Sequence, residues 1–234
     1  MLFNDRRHAG ILLAKELESY RGTADTLVLA LPRGGVVVGL ELSLELHLPL
    51  DVFITRKIGL PEQPEYAIGA VSETGSLYVN QDAVEHMTLL RDDLDGLISA
   101  QRHEIARRQE LYRQRRPFPS IRNKVVIVVD DGIATGSTFF ATIEALAKLS
   151  PRHVVAAIPV SPVSTAAKVR AVVDHCVILE TPEPFCAVGE FYADFQQVDD
   201  EEVVRCLAQA EQAYRERSPL MRGGRLPSHH HQET

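Results

Sequence analysis

The sequence lacks several features that mark whole classes of protein. It has no tryptophan, and its three cysteines form no CxxC pair. Because so few cysteines, odd in number, give no disulfide framework, we expect reduced thiols and a cytoplasmic protein. No apolar run approaches the roughly 20 residues of a membrane span. The first residues also lack the basic-then-apolar order of a signal peptide, so no membrane segment is expected.

Basic charge is also scarce. The chain has 25 lysines and arginines against 32 aspartates and glutamates, which gives a net charge of −7. Nucleic acids and anionic membranes both attract proteins with a basic surface, so we expect neither as a partner. A small phosphorylated ligand stays compatible with this charge, since it needs only a local basic site.

Apolar residues, in contrast, are plentiful, at 45% of 234 residues. They form short β-branched runs that alternate with segments of helical periodicity. The runs that predict strands are 26–31, 51–55, 125–129, 154–160 and 176–179. This alternation predicts an α/β fold, with an open and mainly parallel sheet flanked by helices.

The remaining segments complete this outline. Residues 66–71 and 77–79 flank the turn signal ETGS and predict a hairpin. A long helix is predicted from about 82 to 116. We expect one domain over residues 1–217 and a polar, disordered tail over 218–234. The consecutive histidines of that tail cannot all face one metal ion in a fixed geometry, so they predict no metal site.

The most informative segment is VVIVVDDGIATGSTF at residues 125–139. A buried strand ends in Asp130 and Asp131, and a loop rich in glycine and hydroxyl groups leads into a helix. The exposed N–H groups at the start of a helix favour an anion, which predicts a phosphate site. Carboxylates would repel a phosphate directly, but they suit ribose hydroxyls or a Mg²⁺ ion shared with the ligand. A plain strand-to-helix turn is the less favoured interpretation, and the GxxxxGK[ST] loop of P-loop proteins is absent.

This segment resembles the phosphoribosyl-diphosphate (PRPP) binding motif of type I phosphoribosyltransferases. The resemblance implies that Asp130 and Asp131 hold the ribose 2′- and 3′-hydroxyls and bind Mg²⁺ indirectly. It further implies that the 5′-phosphate is wrapped by Ala134, Thr135, Gly136, Ser137 and Thr138. The fold implied is that of type I phosphoribosyltransferases, with a flap hairpin and a C-terminal hood.

Two more segments resemble the diphosphate site of that family. In LPRGG, after the first strand, Arg33 would supply charge and Gly34 a close amide, and the family has a non-proline cis peptide there. Arg56 and Lys57, predicted at the end of the second strand, resemble the RK(K/R)GKLP segment of adenine phosphoribosyltransferases. Taken alone, each segment is also compatible with an ordinary surface turn or a solvated basic pair. The following hairpin matches a flap that excludes water.

The acceptor side resembles the family less closely. The segment FCAVGEFYADF lies in the expected hood, about residues 181–200, and loosely resembles the hood of hypoxanthine-guanine enzymes. Phe185 or Tyr192 could stack on a flat acceptor, and core packing is an equally good interpretation. Ala134 stands where those enzymes carry a general-base aspartate, whereas adenine enzymes use a glutamate of the flap.

No single flap glutamate can be chosen as the general base from spacing. The candidates are Glu62, Glu65 and Glu73, and for each a solvated carboxylate is the favoured interpretation. The predicted long helix carries an arginine cluster that could reach a neighbour's diphosphate. A solvated helix face partnered by Glu104 and Glu110 is favoured there. The cluster comprises Arg102, Arg107, Arg108, Arg113, Arg115 and Arg116.

In combination, LPRGG, TRKIGLPEQPEYAIGAV, VVDDGIATG and FxAVGxFYxDFxxxxDEE resemble a bacterial and archaeal group described only as predicted phosphoribosyltransferases. The resemblance covers about residues 3–210. It implies a homodimeric enzyme that moves phosphoribosyl from PRPP to a nitrogenous heterocyclic acceptor with the help of Mg²⁺, releasing diphosphate. Two alternatives stay open: a PRPP- or nucleotide-binding regulatory protein without turnover, and a hydrolase that uses water as the acceptor.

Overall fold

Two sheets organise the protein in a computed structural model that describes residues 2–59, 67–79, 91–114 and 116–217. The strands are β1 (Thr26–Ala30), β2 (Leu50–Val52), β3 (Thr55–Gly59), β4 (Ala67–Ser72), β5 (Leu77–Val79), β6 (Val125–Val129), β7 (His153–Val160) and β8 (His175–Glu180). The helices are α1 (Arg6–Glu16), α2 (Gly34–Leu46), α3 (Arg91–Arg113), α4 (Ser137–Ala147), α5 (Val163–Arg170) and α6 (Asp200–Arg217). None of the helices in these ranges is long and apolar enough to cross a membrane.

The main sheet has five parallel strands in the order β2-β1-β6-β7-β8. Its strands β1 and β6 are almost entirely apolar and fully buried, as expected when helices cover both faces of a sheet. Val28 and Ile127 lie opposite each other and face α1, α2 and α6. Their neighbours Leu27 and Val126 face α4 and α5 on the other side, following the two-residue period of a strand. The predicted α/β architecture is confirmed.

A second, antiparallel sheet has the order β3-β4-β5 and contains the predicted hairpin. The single strand predicted over 51–55 is wrong, because β2 ends at Val52 and β3 begins at Thr55. Sequence alone could not show this break, since the residues between the two strands are as apolar as a strand. Arg56 and Lys57 therefore lie inside the second sheet and not at the end of a parallel strand.

Helix α3 lies within the predicted 82–116 and ends at Arg113, before the predicted end. Residues 80–90, where its predicted start falls, and the tail 218–234 lie outside the described residues. At the C-terminal end of the helix, Arg113 is 3% exposed and joins α3 to both sheets. Its guanidinium donates to Asp51 at 2.9 Å and to the Val52 carbonyl, and it pairs with Glu73 of the hairpin turn. Burial raises the pKa of Asp51, and the charge of Arg113 partly offsets that rise.

Two expectations about exposed charges are therefore wrong. The Glu73 side chain is 1% exposed and accepts the Ile54 N–H at 2.8 Å, so it is not a solvated flap carboxylate. The arginines of α3 are not one solvated face either, because Arg108 and Arg113 are buried while Arg107 is exposed. Glu104 does pair with Arg107 and Arg108, as expected from helical spacing. Arg113 instead has the long-range partners Asp51 and Glu73, which helical spacing does not reveal.

We expect Glu73→Gln to destabilise the fold by about 3 kcal/mol, because it leaves the buried Arg113 charge with one carboxylate partner fewer. Chemical unfolding followed by circular dichroism measures the change. The matched control is Glu18→Gln, which removes an exposed ion pair with Arg21 and should leave the stability unchanged within error. If the two variants had the same free energy of unfolding, the buried pair of Glu73 and Arg113 would not stabilise the fold as expected.

Candidate functional site

The loop between β6 and α4 surrounds a cavity of about 220 Å³ that we call the phosphate cavity. Its lining comprises Lys57, Asp130, residues 132–139 and Val188. All five residues expected to wrap a 5′-phosphate therefore lie around one space, at the N-terminus of α4. Gly136 has φ +80°, and a Cβ there would lie 2.4 Å from the Phe140 ring, so the loop requires glycine at this position.

A second cavity of about 370 Å³, the basic cavity, lies beside the first. Its lining comprises Pro32, Thr55, Arg56, Lys57, Gly59, Gln101, Arg108 and Thr138. Lys57 and Thr138 line both cavities, so the two spaces adjoin. The peptide bond between Pro32 and Arg33 is cis, as the resemblance implies, and α2 begins directly after it.

The basic cavity contains two residues that sequence reasoning did not assign to the site, Gln101 and Arg108. Arg56 donates from Nε to Gln101 Oε1 at 2.9 Å, and Arg108 donates from Nε to Glu104 Oε1 at 2.7 Å. Burial and then the positive charge of Arg108 lower the pKa of Arg56. The sequence indicated Arg108 only as a member of the arginine cluster of α3, and the cluster does not show which arginines turn inward. Nothing in the sequence indicated Gln101.

The two acidic residues after β6 lie in different surroundings. Asp130 Oδ1 accepts the Asp131 N–H at 2.9 Å, and burial together with the negative charge of Asp131 raises the pKa of Asp130. Asp131 Oδ2 accepts from Arg6 Nε at 2.7 Å, and the Asp131 side chain is 16% exposed. A Cβ on Gly34 would lie 1.8 Å from that same oxygen, so the loop expected to hold diphosphate passes directly against Asp131.

Arg6 is the third residue that sequence reasoning missed. It is buried, lies over the Phe195 ring at 3.7 Å from the centroid, and donates to the Gln196 carbonyl at 2.8 Å. Arg6 thus joins α1, the hood and Asp131. No pattern in the sequence indicates this role, because Asp131 lies 125 residues further along the chain.

The hood folds directly onto the loop after β6. Tyr192 is 4% exposed, and its ring lies 5.2 Å from that of Phe3 and 4.9 Å from that of Phe195. Its hydroxyl donates to the Asp131 carbonyl at 2.5 Å. Stacking on an acceptor requires an exposed ring face, which Tyr192 does not have, so we assign it to the core beneath the hood. Phe185 is half-buried against Phe191, and its predicted stacking role stays a prediction.

The described carboxylates at this site are too few to enclose a metal ion by themselves. In the part of the chain that the structure describes, no group of three or more His, Cys, Asp or Glu side chains could hold one. Asp131 is already paired with Arg6. Mg²⁺ is commonly bound by one or two carboxylates together with the phosphates of a substrate. The donor set therefore fits a cation that arrives with its ligand.

The predicted general-base candidates do not meet at the site in the described ranges. Glu73 is buried in its ion pair with Arg113, and Glu62 and Glu65 lie outside the described residues. Ala134 is exposed beside the phosphate cavity and has no group that accepts a proton.

Comparison with known proteins tests the family resemblance. Residues 6–195 match the family model of the phosphoribosyl transferase domain. Two Mycobacterium tuberculosis proteins, "Putative phosphoribosyl transferase MT0597" and "Putative phosphoribosyl transferase Rv0571c", are each 40% identical over 215 residues. The match covers 92% of this chain and 48% of each relative, so the chain spans about half the length of the curated relatives it matches.

A solved structure is also similar. The crystal structure of TT1426 from Thermus thermophilus has 40% sequence identity and a TM-score of 0.74, covering 88% of this chain and 98% of that one. The family match, the identity and the shared fold together place this chain in the phosphoribosyltransferase family.

Proposed function

We propose that this protein binds PRPP and transfers its phosphoribosyl group to a nitrogenous heterocyclic acceptor, with release of diphosphate. The observation that carries the proposal is the pair of adjoining cavities that share Lys57 and Thr138. PRPP has a phosphate at one end of its ribose and a diphosphate at the other. A bipartite site with two acidic side chains beside it matches that distribution of groups.

The 5′-phosphate would lie in the phosphate cavity. Ser137 and Thr138 begin α4, where unpaired backbone N–H groups and the helix dipole favour an anion. The hydroxyls of Thr135 and Ser137 lie 3.1 Å apart at the same loop and can donate to phosphate oxygens. Binding here would fix one end of the donor.

The ribose would lie over Asp130 and Asp131, whose carboxylates accept hydrogen bonds from hydroxyl groups. Arg6 occupies Oδ2 of Asp131, so a ribose hydroxyl would be accepted by Oδ1. Because Arg6 is itself held by Phe195 and Gln196, it keeps the Asp131 carboxylate in one orientation. The hood would thus contribute to donor binding without touching the ribose.

The diphosphate would lie in the basic cavity. As it departs it gains negative charge, which Arg56 and Lys57 of the cavity lining would stabilise, together with Arg33, the residue after Pro32 of that lining. Mg²⁺ bound with the ligand would neutralise part of the same charge. Gly34 would let a diphosphate oxygen approach the backbone N–H closely.

A second candidate function has its own supporting observation. The one described flap glutamate that could serve as a base, Glu73, is committed to Arg113, and Ala134 carries no base. A protein that binds PRPP for regulation needs neither group. The two functions differ in turnover, which is measured as release of diphosphate from PRPP.

We expect Asp130→Asn to make the fold more stable and PRPP binding weaker. The pKa of Asp130 is raised, so the folded chain disfavours its charge, and an uncharged amide removes that cost. The melting temperature should rise at neutral pH, by roughly 2–4 °C for each kcal/mol gained. The gain should vanish as the pH falls below 3.8, where aspartate is protonated in both folded and unfolded chains. Calorimetric titration with PRPP and Mg²⁺ should show binding about 10–100-fold weaker.

The matched variant is Asp131→Asn. It replaces the charged partner of the buried Arg6 by a neutral amide, so it should lower both the melting temperature and the affinity. Unchanged PRPP affinity in both variants would contradict the assigned role of the acidic pair.

We expect the unmutated chain to turn over hypoxanthine and guanine poorly, because general acid–base help is worth about 10²–10⁴ in rate and Ala134 cannot supply it. Steady-state release of diphosphate from PRPP with hypoxanthine, guanine, adenine or no base measures this. Ala134→Asp should increase release with hypoxanthine, since it adds a carboxylate with little bulk.

Each pattern of release has a separate meaning. Efficient turnover of hypoxanthine or guanine by the unmutated chain would refute the substrate prediction. Release without any base would identify water as the acceptor. Tight binding of PRPP with no release under any condition would favour the regulatory function over transfer.

A further inference from the structure

Helix α3 contributes two side chains to the basic cavity. Gln101 and Arg108 are seven residues apart, which places them two turns apart on the same side of a helix. Both line the cavity beside Arg56 and Lys57 of β3. The sequence left two roles open for the α3 arginines, a neighbour's diphosphate or a solvated face, and Arg108 matches neither, because it lies at a cavity of its own chain.

The surroundings of Arg108 differ sharply from those of the adjacent Arg107. Arg108 is 9% exposed and donates from Nε to Glu104 at 2.7 Å. Arg107 is half exposed and donates to Glu104 from both Nε and an η nitrogen, and to Asp200. An arginine has five N–H donors, so an Arg108 held at Nε can still present its two η nitrogens to an anion.

The charge in the basic cavity is unbalanced. Arg56, Lys57 and Arg108 line it, and none of the described acidic side chains does. The nearby carboxylate, Glu104, is shared between Arg107 and Arg108. Burial and then the nearby positive charge of Arg108 both lower the pKa of Arg56, so the two guanidinium groups repel each other. A ligand with several negative charges would relieve the repulsion.

We propose that Arg108 binds the diphosphate group directly, and that Gln101 acts as a positioning residue that holds Arg56 toward the same group. This inference rests on the proposed function and adds α3 to the diphosphate site. A guanidinium fixed at Nε suits two parallel hydrogen bonds to phosphate oxygens better than a lysine ammonium would. Ion pairs of Arg113 with Glu73 and Asp51 hold the same helix in place, and therefore also hold the backbone that carries Arg108.

The test compares Arg108→Gln with Arg107→Gln by calorimetric titration of the full chain. Both variants remove one cation that pairs with Glu104, but only Arg108 lines the basic cavity. The probes are PRPP with Mg²⁺ and ribose 5-phosphate, which lacks the diphosphate. We expect Arg108→Gln to weaken PRPP binding about 10–100-fold and to change ribose 5-phosphate binding less than about twofold. Arg107→Gln should leave both affinities within about twofold of the unmutated chain.

Arg108→Lys keeps the positive charge, so it still tests the proposal if Arg108→Gln fails to fold. It should retain the unmutated melting temperature and give an intermediate PRPP affinity, because the ammonium lacks the planar pair of donors. An intermediate affinity in a stable Arg108→Lys supports direct contact with the diphosphate.

Two results would overturn the assignment while leaving the proposed function intact. One is PRPP affinity in Arg108→Gln and Arg108→Lys equal to that of Arg107→Gln. The other is an equal loss for PRPP and for ribose 5-phosphate, which would indicate a general disturbance of the site. If the unmutated chain bound neither probe, the proposed function would fail, and the role of Arg108 would fail with it.

Discussion

The contact between Gly34 and the Asp131 carboxylate is the constraint on which the rest of the site depends. A Cβ at position 34 would lie 1.8 Å from Asp131 Oδ2, so only glycine lets the start of α2 pass the end of β6 this closely. Arg6 donates to the same oxygen, and Tyr192 donates to the Asp131 carbonyl. The first helix, the start of α2, the hood and the end of β6 therefore all meet at one residue, Asp131. A change at any of them reaches the proposed ribose site.

Acidic side chains and anion-binding groups lie next to each other at this site. Two carboxylates lie beside two cavities that favour anions, one through the start of α4 and the other through arginine and lysine side chains. Burial and the charge of Asp131 raise the pKa of Asp130, and burial and the charge of Arg108 lower the pKa of Arg56. Both shifts mean that the protein's own charges carry an electrostatic cost here. Binding sites commonly trade stability for function in this way, and a ligand with hydroxyls flanked by phosphates would relieve both costs together.

The sequence was informative where function depends on local chemistry. The segment from Val125 to Phe139 contains its strand, its loop and its helix start in 15 consecutive residues, and the structure builds one cavity from its loop. It was uninformative where a role depends on a distant partner. Arg6 meets Asp131 across 125 residues, and Arg113 meets Asp51 across 62. On a helical wheel such arginines look like solvated charges, since spacing shows which residues share a face but not what covers that face.

Helix α3 is joined to its neighbours by side-chain contacts near both of its ends. Arg113 joins the helix to the hairpin turn and to β2, and Gln101 joins it to Arg56 of β3. The proposed diphosphate site is thus built on a helix that is held on both sides of Arg108. The hood meets the phosphate loop differently, through close packing of Val188 against Gly132, where a Cβ would lie 2.4 Å from the valine. A change in the hood would then reach the phosphate loop through Val188, and the proposed ribose site through Tyr192 and Arg6.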